Sequence, residues 1–412
     1  MVALWLIAGG CRPRSRPVGG WGDWRGPNRD GISPDLPTRL PSEPTFLWRR
    51  KLTARGVGAL AATDTCVIVS DKDVPGEAAA NDVWRCLDAA TGRQLWTLSY
   101  PAAGEMDYTN SPRAAAVIDG QRVYLLGAFG DLHCVGLDDG RVIWNCNFRE
   151  TFVPELPTWG YCGSPLIVDD KVVVSTCAPD AALVAMDKKT GKVVWQTPGE
   201  RPGYGAMILG TFGGVRQIVG HDRHTLGGWD PGTGRRLWTL KPPEPNDFNV
   251  PTPIDLGDGR LLVATENNGT RIYAFGADGT ITPEPTALNE DLLPDSSTPI
   301  VLDGRVWGAG TEGACCLDLD DDLKTVWMVE GEPFDDYASF IGGNGRVLIV
   351  ATDGRIALMP SRPAPADRPA WVQVFERTGS FEPEVWSYPA IVGNRLYLRS
   401  RNEIVCLLLN GK

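Results

Sequence analysis

Aromatic side chains set beside acids and amides recur at a fixed place in the chain, just ahead of short apolar runs. They are Asp107, Tyr108 and Asn110, then Trp159 and Tyr161, then Tyr204, then Asp247, Phe248 and Asn249. Asp335, Asp336 and Tyr337 follow, and Glu384 and Trp386 come last. Rigid rings next to carboxylates suit a peptide, a sugar or a small cation-bearing ligand. Packing between structural elements is the better account of any one of these rings taken alone. Their shared position favours a common cup for the group.

Other chemistry is thinly supplied. There are 3 histidines, His133, His221 and His224. His221 and His224 straddle a turn in a hairpin-like stretch, and no further metal ligands accompany them. A Gly-x-Ser-x-Gly elbow, a phosphate-binding loop and a C-x-x-C-H haem signature are all missing from the sequence. We therefore assign no catalytic residue and no metal ligand from sequence, and expect no cofactor.

The elements that would position the cup are strands. Helical periodicity is nearly absent, and runs such as residues 122–126 and 171–174 are β-branched or apolar and end at turn residues. The 48 glycines, 33 prolines and 15 tryptophans of this 412-residue chain fit many turns and a repeated large apolar anchor.

One unit repeats. Its clearest copies run from Asp88 through Gly92 to Trp96, from Asp187 through Gly191 to Trp195, and from Asp230 through Gly234 to Trp238. A shorter copy ends at Trp144 and decayed ones lie at residues 275–280 and before Trp327. The turn glycines 92, 140, 191, 234 and 279 are 48, 51, 43 and 45 residues apart, a four-stranded propeller-blade period. Asp and Thr-Gly make a tight turn, and the Trp on the outer strand covers the gap to a neighbouring blade. Ser-Pro, Thr-Pro or Tyr-Pro pairs at 111, 164, 252, 298 and 388 open inner strands, and weaker openings near 56–62, 205–209 and 338–343 bring the count to eight.

The chain stops before an eighth outer strand, and residues 46–52 are an outer strand without predecessors. Pairing the two closes the ring and removes free edges. The sequence thus predicts an all-β, eight-bladed β-propeller of four-stranded antiparallel blades. We expect a leader at residues 1–17, a Gly/Pro-rich arm at 18–45 and the propeller at 46–412. Six units with a separate hairpin is the weaker alternative.

The Leu-Asp-x-x-Thr-Gly-x-x-x-Trp units resemble the tryptophan-docking repeats of the pyrroloquinoline-quinone-like propeller superfamily, over residues 46–412. That superfamily contains quinoprotein alcohol and glucose dehydrogenases and a non-catalytic branch typified by the outer-membrane assembly lipoprotein BamB. Residues 24–31 are similar to a stretch found ahead of such propellers in planctomycete proteins. The enzyme branch implies a quinone between a tryptophan floor and a ceiling of two disulfide-linked adjacent cysteines, with Ca²⁺ held by acidic and amide oxygens. Cys315 and Cys316 are adjacent, but they precede Leu317-Asp318 and so fall inside a third strand with alternating faces. A non-enzymatic scaffold that binds a protein partner or ligand is the expectation, and pyrroloquinoline quinone with calcium belongs only to the alternative.

Charge and cysteines place the chain. A net charge of −11 disfavours a nucleic-acid partner, and Arg12, Arg14 and Arg16 read as a solvated tail. Residues 2–8 are apolar and lead to Gly9-Gly10-Cys11, which resembles a bacterial lipoprotein signal with Cys11 as lipid site. A plain cleaved signal or a mis-assigned start stands beside it. The expectation is a monomeric propeller in the periplasm or envelope, meeting membrane only through that anchor. Cys162 and Cys177 face each other in a hairpin register, as a cross-strand disulfide or as two reduced buried thiols.

Overall fold

The computed structural model describes residues 20–76, 80–201, 203–331, 333–334, 337–376 and 383–409. Eight antiparallel sheets follow one another along the chain. In blade 1 the strands Ala61–Thr63, Cys66–Lys72, Asn81–Asp88 and Gln94–Pro101 run from the inside outwards. Blades 2 to 7 begin with the inner strands Val117–Asp119, Leu166–Val168, Ile208–Phe212, Ile254–Asp255, Ile300–Leu302 and Ala338–Gly343. Blade 8 is composite. Its Ala390–Val392, Arg395–Arg399 and Glu403–Leu408 are completed by Thr45–Lys51 from the opposite end of the chain. Among the described residues, helix is confined to Phe148–Thr151 and a 3₁₀ turn at Pro179–Ala181.

The repeat motif explains how blades attach. In the turn after Asp187, Oδ1 accepts from the Lys189 and Thr190 amides (3.1 and 2.8 Å) and from Thr190 Oγ1 (2.7 Å). Asp88 and Asp230 make the same three bonds. The Thr hydroxyl, first among these donors, holds each carboxyl below its usual pKa. Gly191 closes the turn at φ 71°, and a Cβ there would lie 2.7 Å from the Trp144 ring of the preceding blade. Only glycine accepts both the positive φ and the indole. Each docked indole also donates to a carbonyl of the next blade: Trp48 to Ala89, Trp96 to Leu137, Trp144 to Lys188, Trp195 to Pro231 and Trp327 to Asp367. Trp238 differs. Its Nε1 donates to Gln217 Oε1 (2.5 Å), and Gln217 Nε2 reaches the Gly279 carbonyl (2.9 Å) in its place.

A β-bulge sits one residue before each docking tryptophan, skipping Leu47, Leu95, Ile143, Val194, Leu237 and Val326. The extra residue turns the indole towards the neighbouring blade and leaves an aliphatic side chain such as Val194 half in solvent.

The N-terminal arm is where the molecule departs from a plain ring. Gly20–Trp21 adds a fifth, innermost strand to blade 1, pairing with Ala62 and Thr63. The chain then crosses the central channel. The Gly22 carbonyl accepts from Ile118 of blade 2, and Ile32 bridges to Gly342 of blade 7. Two arginines fix the crossing. Arg29 donates to the Met207 and Pro165 carbonyls (2.6 and 2.5 Å) and pairs with Asp23 (2.9 Å). Arg25 donates to the carbonyls of Pro299 and Asp30. The arm of the sequence reading is therefore a plug. No periodicity signals it, because its partners are backbone carbonyls spread over the whole ring.

Candidate functional site

Strand direction alternates outward through a blade, so the loops entering the inner strands converge at one mouth of the channel. There they enclose a cavity of about 420 Å³. Tyr108, Trp159, Tyr204, Tyr337 and Trp386 all reach its wall, one each from the entries to blades 2, 3, 4, 7 and 8. Phe248 adds the entry to blade 5. Trp159 is packed between Tyr204 (centroids 4.7 Å) and Phe248 (4.8 Å), while Tyr337 and Trp386 pair across the mouth from them (5.3 Å). The floor is Trp24 of the plug, tilted on Tyr388 (5.2 Å) and hydrogen-bonded to Thr252 Oγ1 (3.1 Å).

The remaining sequence candidates hold loops or lie between blades. Asp107 is outside the wall, and its carbonyl takes a hydrogen bond from Arg113. Asn110 is buried and accepts from the Met106 amide (2.9 Å). Tyr161 is 3% exposed, packs edge-on to Phe148 and donates to the Thr176 carbonyl, so it is a blade-contact residue rather than part of the cup. Asn249 caps the Asp222 and Arg223 carbonyls of blade 4. These four share the sequence position of the cup residues, but their groups bond within the loops and blades instead of reaching the cavity wall. Asp336, with Asp335, lies outside the described residues, as does Cys11.

Cys162 and Cys177 are free thiols. The expected register holds, with Leu166 opposite Val173 and Val168 opposite Lys171, but the ladder ends there. Cys177 leaves it at φ 65°, and Cys162 Sγ turns to the Trp159 carbonyl (3.4 Å) on the cavity wall. Burial pushes the Cys162 thiol up to about 11. Cys315 and Cys316 lie in the third strand of blade 6, pointing into opposite inter-blade cores, and burial raises both. His221 and His133 are buried and desolvated, down to about 3 and 4, so both are neutral near pH 7.

Sequence reasoning named Glu384 but missed Arg55, Arg113, Glu266 and Asp295. Arg55 forms an ion pair with Glu384 (2.6 Å), which also holds Arg401 (2.7 Å). Arg113 lies on the wall, as does Asp295. Tyr108, Asn249 and Glu384 all adopt positive φ (68°, 57° and 52°), an uncommon backbone for non-glycine residues. Glu266 takes the Phe248 amide on Oε1, and its buried Oε2 has no protein partner. Burial, with Asp247 and Asp295 adding to it, lifts its carboxyl to about 7. A carboxyl raised in the folded state stabilises below its unfolded pKa, and that stability is lost as pH rises through about 7. Glu266→Gln keeps the oxygen that Phe248 needs. It is expected to stabilise the protein at pH 8 by about 1–2 kcal/mol, given partial solvent screening, and to leave stability at pH 4 unchanged. Melting curves at both pH values check this.

Known proteins share the architecture. The profile of the family described as outer membrane protein assembly factor BamB matches residues 79–274, just under half of the chain. No curated protein sequence matches significantly. Among solved structures, BamB from Moraxella catarrhalis superposes with a TM-score of 0.59 at 16% identity, over 90% of this chain and 98% of that one. Residues 79–274 thus carry the pyrroloquinoline-quinone-like repeat, and the propeller fold is shared along most of the chain. Quinohemoprotein alcohol dehydrogenase ADHIIG from Pseudomonas putida HK5 gives a TM-score of 0.68 at 13% identity, over 96% and 81% of the two chains. The computationally designed protein Ika8 gives 0.55 at 14%, over 87% and 100%. At these identities the likeness establishes the fold and leaves function to the site.

The site fits the quinone of the enzyme branch poorly. The adjacent cysteines are strand residues of the blade 6 core, not a ceiling over the channel. Among the described residues no group of three or more His, Cys, Asp or Glu is placed to hold an ion. The plug occupies the channel beneath the cup, and carboxylates from blades 5 and 6 line or approach its far side. A tricarboxylate quinone would meet that negative charge.

Proposed function

We propose that the chain is a non-enzymatic binding propeller of the cell envelope, whose working surface is the aromatic cup at the channel mouth. The observation that carries this reading is the plug under the cup: Trp24 closes the channel at the depth where six inward rings converge. A floored, mostly apolar pocket with a few convergent polar groups is a binding site in form. Its occupant is a partner protein's side chains or a small ligand. The BamB family description supports an assembly or interaction role rather than turnover, and supports the envelope as location. No described helix is long and apolar enough to cross a membrane. Attachment is proposed through a lipid on Cys11, with the propeller as a monomer that takes neither quinone nor calcium.

A photoreactive benzoylphenylalanine tests the surface. At Tyr108, which is 66% exposed on the cup rim, it is expected to give discrete adducts in cells producing the full chain. At Asp139, in a turn at the other end of blade 2, it is expected to give none. Adducts from Asp139 alone, or equal adducts from both, would overturn the cup as working surface.

A further inference from the structure

One residue of the cup carries a charge the protein does not answer. Arg113, from the entry to blade 2, lines the cavity beside Tyr108, Cys162 and Tyr204. Its Nη2 donates to the carbonyls of Asp107 and Thr109 (2.8 Å to the latter), and its Nε is buried without a partner. No carboxylate among the described residues forms an ion pair with it. The neighbouring cation is different, because Arg55 forms an ion pair with Glu384, which it shares with Arg401. Burial lowers the pKa of Arg113, the direction expected of a guanidinium whose loss of water outweighs the pull of the nearby groups, Asp107 among them. A desolvated cation of this kind leaves a large part of its interaction energy unused until an anion arrives.

The opposite wall sets the rest of the specificity. Blade 6 faces blade 2 across an eight-fold ring, and it contributes Asp295 to the lining. Asp247 of blade 5, together with Asp295, stands close enough to Glu266 to raise that residue's proton affinity. A second negative charge on the ligand would point at this group. Between the two poles the wall is aromatic or aliphatic, with Val57, Ala59, Ala206 and Val250 between the rings.

We infer that the cup takes a monoanion, a single carboxylate seated against Arg113 and carrying an aromatic or apolar body that lies between Trp159 and Trp386. This rests on the reading of the cup as a binding surface. Small aryl carboxylates and the free C-terminus of a peptide ending in an aromatic residue share that chemistry. Planar bidentate pairing suits arginine better than lysine, so the charge alone does not carry the site.

Isothermal titration with three indoles of one size separates the possibilities: indole-3-acetate, its neutral amide and tryptamine. The acid is expected to bind at least about tenfold tighter than the amide, a difference of about 1.4 kcal/mol, and tryptamine weakest. Arg113→Gln should bring the acid down to the amide's affinity while the amide is unaffected, and Arg113→Lys should restore part of the gap. A tetrapeptide ending in Trp, as free acid and as C-terminal amide, identifies the source. A free-acid peptide that outbinds indole-3-acetate points to chain ends, and the reverse order points to a small acid. An amide or amine that binds the wild type as tightly as the acid overturns the inference and leaves the cup standing. If no indole of any charge binds, both this inference and the cup as a small-ligand site fall. The wild-type acid-to-amide ratio decides the matter even if the Arg113 variants fold poorly.

Discussion

Removing residues 1–52 is expected to abolish the cooperative melting of the propeller. Six register pairs join Thr45–Lys51 to Glu403–Leu408, and without them blade 8 ends in a bare edge. The same deletion takes away Trp48, the indole that docks on the Gly92 turn, hydrogen-bonds Ala89 and so fastens blade 8 to blade 1. It also removes the plug from the channel. The loss is therefore one blade edge, one inter-blade fastening and the central packing together. Trp48→Ala isolates the second of these and is expected to cost about 3–5 kcal/mol, the usual range for truncating a buried tryptophan. Calorimetry on both variants checks this. A truncated chain with a single transition near that of the full protein would show that the ring does not depend on this closure.

Arg29→Ala is expected to cost about 3–5 kcal/mol at pH 8, as large as a core truncation, although it removes a charged residue. Arg29 is 7% exposed and bridges the plug to blades 3 and 4 through the Met207, Ser164 and Pro165 carbonyls. Its loss leaves three acceptors unpaired and Asp23 without a counter-charge. Burial already raises the Asp23 carboxyl, against the opposing pull of Arg29. Without the arginine it rises further. A carboxyl raised in the folded state stabilises below its unfolded pKa and loses that stability as pH rises, so the defect should shrink between pH 8 and pH 4. Urea melts of wild type and variant across that range measure it. A defect that is the same at both pH values would mean that Asp23 is not the residue left exposed to the change.

The ring was legible in the sequence because each blade repeats its own instructions. The Asp-x-x-Thr-Gly turn, the docking tryptophan and the proline before five of the eight inner strands are local signals, and the bare outer strand at residues 46–52 implied its partner. The bulge before each tryptophan was not legible, since a residue skipped in the ladder looks like any other apolar strand residue. The plug was hidden for a different reason. Arg25 and Arg29 bond to carbonyls of blades that lie more than a hundred residues away, and carbonyls have no sequence signature. Half of the cup candidates shared its wall, because aromatic residues at loop ends were a usable clue. Tyr161 and Asn249 carried the same clue and turned the other way. Arg113 gave no clue, since only its burial without an ion-pair partner among the described residues distinguishes it from the other 39 lysines and arginines of the chain.

Titration with pyrroloquinoline quinone and Ca²⁺, following absorbance and melting temperature together, tests the account most directly. A binding propeller plugged by Trp24 predicts no calcium-dependent rise in melting temperature and no reduction of an artificial electron acceptor by alcohols or sugars. Saturable, calcium-dependent binding with dye reduction would contradict it and make the chain a quinone-dependent dehydrogenase.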